Sequence, residues 1–139
     1  MNVRELDAWL AEHLFGWEFW EETRPNYTHV YWQTDGRKPW ERTQKAYQQP
    51  EKFHRIAFSE YEPKRHIYEG VKPTFSSTGD GMLLVLEAMR ARGFDLDLLT
   101  DAGTWRCDFD NGTIDTHKEA ATAPRAVALA AKAALEASK

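Results

Sequence analysis

The chain is expected to fold as an α+β protein: an α/β/α layered sandwich whose antiparallel sheet carries helices on both faces, with an aromatic and basic insertion of hairpins or loops. Three features of the last third predict this. They are a capped helix from Thr78, a meander of strands turned by Asn111-Gly112, and an alanine-rich helix opened by Thr122-Ala123-Pro124. The 139 residues are expected to form a single domain, 1–139, a length that buries a core without metal or disulfide staples.

Asn2 is placed to cap a first helix whose Leu6, Trp9, Leu10, His13 and Leu14 recur at helical spacing. Gly16 is expected to end it. Trp17, Phe19 and Trp20 follow at once, and rings at this density are expected to be mostly core. From Arg24 onward, Pro25, Pro39, Pro50, Pro63 and Pro73 exclude a long helix. Short strands are expected at Thr28 to Trp32, Phe53 to Phe58 and His66 to Tyr68. The insertion, at about 24–72, holds nine aromatic residues in 49 positions, too many for a disordered linker.

Thr78 is expected to cap a second helix through Arg92, with Asp80 at its positive end and Arg90 and Arg92 at its negative end. Its broad apolar set, Met82, Leu83, Val85, Leu86 and Met89, predicts a mostly buried helix. Gly93 followed by Phe94 matches a glycine stop in which Phe94 folds back toward Met89. Phe94, Leu96 and Leu98 then alternate with Asp95 and Asp97, and Trp105, Cys107 and Phe109 with Arg106, Asp108 and Asp110, the period of half-buried strands. A turn around Asp101-Ala102-Gly103 is expected between them. Asn111-Gly112 is expected to form a two-residue type I′ turn that pairs Phe109 with Ile114, with a short last strand at Thr113 to His117. Pro124 suits the first turn of the closing helix. The small-residue face of that helix, Val127, Ala130, Ala131, Ala134 and Leu135, is expected to lie beside the second helix.

Three stretches resemble the phage ABA sandwich domain proteins, small products of bacteriophage genomes. Asn2-Val3-Arg4-Glu5-Leu6-Asp7 leading to Gly16-Trp17-Glu18 resembles the family's opening helix and its Gly-Trp stop. Pro73, Phe75, Ser76, Thr78 and Asp80 running into Leu86-Glu87-Ala88-Met89-Arg90 is similar to its segment before a helix, and Ala121 to Ala126 to its closing helix. The resemblance implies a layered α/β/α fold and a phage or prophage origin, and it brings no catalytic residues.

Net charge is −4, yet residues 24 to 72 carry ten Lys/Arg against six Asp/Glu, about +4, which leaves about −8 on the rest. Within the insertion, Tyr27, Tyr31, Trp32, Trp40, Tyr47, Phe53, Phe58, Tyr61 and Tyr68 are interleaved with Arg37, Lys38, Arg42, Lys45, Lys52, Arg55, Lys64 and Arg65. Rings stack bases and cations neutralise phosphates, so a nucleotide-type small molecule is the expected ligand, held by Trp32, Arg37, Trp40, Arg55 and Arg65. The same residues packed on the frame with a soluble rim are the alternative. Tyr31 and Trp32 must point opposite ways in a strand, so one of them is expected to meet a ligand, a second subunit or another layer. Complementary charges on one chain also favour a homo-oligomer.

No His-x-x-x-His pair or cysteine partner supports a metal site, and no cofactor is expected. General acid-base work needs one His beside a carboxylate, and His54 with Glu60 or His66 with Glu62 are the candidates. Thr78-Gly79-Asp80-Gly81 lacks the lysine of a phosphate loop and is better read as a helix cap. Asp95, Asp97, Asp101, Asp108, Asp110 and Asp115 make the meander's polar face acidic, which suits a divalent cation, a neighbouring subunit or solvent. With one cysteine, acids at the N-terminus and no long apolar run, the expected setting is a reducing cytoplasm, which the phage resemblance implies is that of the host cell. The expected function is non-enzymatic: sequestration of a nucleotide-type molecule of host defence signalling, or alternatively inhibition or support of a host or phage complex by protein binding.

Overall fold

The computed structural model describes residues 1–41 and 49–139. In chain order the elements are α1 (Val3–His13), β1 (Glu18–Thr23), β2 (Thr28–Gln33), β3 (Phe53–Arg55), β4 (His66–Tyr68), α2 (Gly79–Ala91), β5 (Asp95–Asp101), β6 (Thr104–Asp110), β7 (Asp115–Ala120) and α3 (Ala123–Ala137). The α+β class read from the sequence is the class the chain adopts. Its contacts divide it into two compact units, residues 1–15 with 73–139, and residues 16–72. The second unit begins at Gly16, so the rings that follow α1 open its first strand.

In the first unit, Asn2, Thr78 and Thr122 cap the three helices, each side chain accepting a main-chain N–H of the first turn. Gly93, at φ +91°, stops α2, with its N–H on the Arg90 carbonyl and the Phe94 N–H on that of Met89. The sheet runs β5-β6-β7, antiparallel throughout. α3 packs on β6 and β7, α2 on α3 and β5, and α1 on α3. Cys107, Phe109, Val85, Met89 and the alanines of α3 form the core between them. Burial raises the Cys107 thiol to about 12, which keeps it protonated and inert.

The turn expected around Asp101-Ala102-Gly103 is a two-residue one, where Ala102 and Gly103 both have positive φ (52° and 83°) and Asp101 pairs with Thr104. The expectations for the next hairpin, its turn and its register, are corrected. Asn111-Gly112 instead belongs to a four-residue loop, because the Asn111 side chain accepts the N–H groups of Thr113 and Ile114 (3.0 and 2.7 Å). The register therefore pairs Phe109 with Thr116, and β7 runs on to Ala120. α2 is less buried than its composition predicted: Leu83 and Leu84 are 53% and 48% exposed.

Residues 1–15 are joined to the rest of this unit by specific contacts at the point of return. Asp7 is buried and its Oδ1 accepts the Ser76 N–H at 2.8 Å. Phe15 stacks on Phe75 with ring centroids 4.5 Å apart. Gly81 lets α2 approach the same segment, since a Cβ there would lie 2.4 Å from the Thr74 carbonyl oxygen and 2.8 Å from Phe75 Cα.

In the second unit the sheet order is β3-β1-β2-β4, with β4 parallel to β2 and the other pairs antiparallel. Both faces are aromatic. Phe19 and Trp32 share one face with Phe58, Tyr61 and Tyr68. Trp20, Tyr31 and Phe53 share the other, covered by Trp40 from the short 3₁₀ turn Pro39–Glu41. Tyr31 and Trp32 do point opposite ways, and both are buried because each face has its own cluster. The strand expected at Phe53 to Phe58 stops at Arg55, and Phe58 enters a 3₁₀ turn.

Gly81→Ala is expected to lower stability by about 1 to 3 kcal/mol, the usual cost of overpacking, read from urea unfolding; an unchanged midpoint would contradict the close approach. Burial raises the Asp7 carboxyl above its ordinary 3.8, and Ser76, whose N–H it accepts, and the Arg125 charge offset only part of that. The folded chain thus takes up this proton at higher pH than the unfolded chain. Wild type should therefore gain stability relative to Asp7→Asn as pH falls from the raised value to about 3.8, measured by paired urea midpoints at neutral and acid pH.

Candidate functional site

The five residues expected to hold a nucleotide do not converge. Trp32 and Trp40 lie on opposite faces of one sheet, Trp32 against Phe19 and Phe58 and Trp40 edge-on to Trp20. Arg37 turns back to Asp35 (3.1 Å), Arg55 reaches across to Glu18 (2.9 Å) and Arg65 lies 3.5 Å from Glu62. Lys38 sits over the Trp20 ring and Lys72 over that of Tyr68. Arg42, Lys45 and Tyr47 lie outside the described residues.

The charge pattern explains why. β1 brings Glu18, Glu21 and Glu22 into the same unit as the cations, so residues 16–72 hold ten Lys/Arg against nine Asp/Glu. Glu22 and Glu69 clasp Arg24, whose Nε and Nη1 lie 2.6 and 2.9 Å from them, and both raise the affinity of the guanidinium for its proton. His29 also touches Glu69. Arg37 holds the Asp35 carboxyl below its usual range, first through its main-chain N–H. The basic insertion read from residues 24–72 is a nearly balanced unit once the preceding strand is counted.

Of the acid-base candidates, His66 is wholly buried and engaged at both nitrogens. The Glu62 N–H donates to Nδ1 (3.0 Å), which leaves the proton on Nε2 to be donated to Glu21 (2.9 Å). Its partner carboxylate is therefore Glu21, not that of Glu62. His54 is exposed on β3. Among the described residues no three His, Cys, Asp or Glu side chains come together as a metal ion would require. No described helix is long and apolar enough to cross a membrane.

The other surface of note is the face of β5-β6-β7 turned away from the helices. Its register sets Asp95, Asp110 and Asp115 directly opposite one another across three strands. The next row is Asp97, Asp108 and His117, and the third is Leu99, Arg106 and Glu119. With Asp101 the face presents seven carboxylates, against which Arg106 donates to Asp108 at 2.9 Å. Asp108 and, at longer range, Glu119 and Asp115 make the Arg106 proton harder to lose. Leu99 stands 57% exposed beside a hollow of about 420 Å³ lined by Asp101, Arg106 and Glu119. Like charges directly opposite in a ladder destabilise it. The alternation of Asp with apolar residues made this face legible as acidic, whereas the alignment of three aspartates in one row depended on the register.

No protein-family model matches the chain, and no curated protein does. The fold is similar to that of a phage protein from Bacillus cereus ATCC 14579, solved as a crystal structure. The TM-score is 0.55 at 16% identity, over 98% of this chain and 89% of that one. At that identity the likeness concerns the fold, and the family resemblance rests on its own motifs.

Asp110→Asn keeps the oxygen that accepts the Gly112 N–H (2.7 Å) and removes the central charge of the aspartate row. It is expected to raise the melting temperature by a few degrees at about 10 mM salt and by much less at about 1 M, where screening shortens to about 3 Å. A variant no more stable than wild type at low salt would show that the row carries no strain.

Proposed function

We propose that this chain is a non-enzymatic binding protein of a bacteriophage, acting in the host cytoplasm, and that it docks the open face of β5-β6-β7 onto a basic surface of a partner protein. The observation that carries this reading is the row Asp95-Asp110-Asp115 beside Asp97 and Asp108, held opposite one another by the register. Folded sequences keep such local conflicts where a function offsets them. A cationic partner relieves the repulsion on binding and speeds encounter. The exposed Leu99 supplies an apolar contact inside the charged rim, as interface centres do. The fold it shares with a phage protein and the sequence motifs support the origin.

A different protein fits this face better than a second copy, because the whole chain is acidic and residues 16–72 are close to neutral. Nucleotide sequestration is the weaker reading: Trp32 is packed in an aromatic cluster and Arg37, Arg55 and Arg65 each face a carboxylate.

A photo-crosslinking residue in place of Leu99, expressed in a bacterial host, is expected to capture a basic partner. The purified partner should then bind wild type with strong salt dependence and bind Asp97→Asn/Asp110→Asn at least about tenfold more weakly. Equal affinity for the double variant, or failure to capture any partner, would count against the docking face. In parallel, calorimetry with a panel of nucleotides and cyclic nucleotides should show no heat; tight binding of one, recovered intact, would restore the sequestration reading.

A further inference from the structure

The four-stranded sheet forks on its β4 side, and the geometry points to this fork as a site for an extended peptide segment of a partner protein, pairing with the main chain of Trp32. The site lies in residues 16–72, and the inference does not depend on the acidic face.

β4 runs parallel to β2 for three residues, pairing Thr28 with His66, His29 with Ile67 and Val30 with Tyr68. The Glu69 N–H then donates to the Val30 carbonyl at 2.9 Å. Gly70, at φ +76°, turns the chain, and among the described residues no further main-chain hydrogen bond continues the ladder to Trp32. Main-chain groups alternate sides along a strand. Trp32 has the parity of Val30, so its N–H and C=O face away from β1, toward the side β4 has left.

A cleft of about 220 Å³ occupies that place, between Trp32 to Asp35 on one wall and Glu69 to Val71 on the other. Trp32 is 5% exposed, and its indole N–H has no hydrogen-bond partner among the described residues. Buried donors are seldom left in this condition, because the desolvation cost is not recovered.

The chemistry of the rim selects the occupant. Asp35 is already engaged by the Gln33 side chain (2.7 Å) and by Arg37, and Glu69 by Arg24 and His29. A cation therefore finds no free carboxylate there, and a phosphate finds no free cation. What remains open on Trp32 is a donor and an acceptor at main-chain spacing, the complement of an amide in an extended chain. Water is the competing occupant, about seven molecules at roughly 30 Å³ each.

The test is selection from a random-peptide display library on the full chain, with Val71→Trp, an exposed rim substitution that fills the cleft, as counter-target. A recovered peptide is expected to shift the Trp32 main-chain amide and indole N–H resonances, and to bind Val71→Trp at least about tenfold more weakly. Trp32→Phe, which keeps a ring and removes the indole donor, should also lose affinity. The Val71→Trp comparison stands by itself should the core variant fail to fold. The inference is overturned if no peptide discriminates against Val71→Trp, if a selected peptide leaves both Trp32 signals unmoved, or if the indole N–H shows Overhauser contacts to water alone with every selected peptide.

Discussion

The first compact unit depends on the chain returning to the place it left. The chain leaves this unit after residue 15, residues 16–72 form another, and it re-enters at Pro73. Closing so long an excursion costs entropy, although the cost grows only slowly with length. It is met by contacts concentrated at the junction: the Asp7 carboxylate on the Ser76 N–H, 69 residues apart in sequence, and the stack of Phe15 on Phe75. Gly81 belongs to the same device, because any side chain there would drive α2 off the Thr74-Phe75 backbone. With α1 held in this way, its Leu6 and Leu10 stay buried in the core to which α3 and β6 also contribute.

Charge is organised differently in the two units. In residues 16–72 four described arginines, Arg24, Arg37, Arg55 and Arg65, each meet a carboxylate, and two of those carboxylates, Glu18 and Glu22, come from one strand. Such pairs at a surface contribute little stability; their larger effect is to engage guanidinium groups that a phosphate would otherwise meet. The sheet of the other unit does the opposite. Its antiparallel register aligns aspartates without supplying a cation for each, and the strain is carried by a core of Cys107, Phe109 and the alanine face of α3.

Much of this was legible in the chain itself. The caps at Asn2, Thr78 and Thr122, the Gly93 stop, the alternation through β5 and β6 and the buried stripe of α3 are local signals, set by side chains within a few residues of the backbone groups they satisfy. Other features were not legible. Asn111-Gly112 carries the composition of a two-residue turn, but the Asn111 side chain bonded two N–H groups ahead and made a wider loop. Trp32, Arg37, Trp40, Arg55 and Arg65 share a composition suited to nucleotides, and composition does not record which face of a strand a ring takes or which carboxylate an arginine meets.

The sequence by itself determined the α+β class, the positions of the helices and most strands, and the acidic character of the alternate positions in the meander, because periodicity and capping act over short distances. Tertiary structure decided the rest. It placed β1 among the strands of residues 16–72 and so nearly balanced their charge; it buried both members of the Tyr31-Trp32 pair; it put Asp95, Asp110 and Asp115 in one row; and it ended β4 early enough to leave Trp32, among the described residues, with no strand neighbour on its side away from β1. Each of these depends on the register between strands distant in sequence, and register is set by which faces find partners to bury.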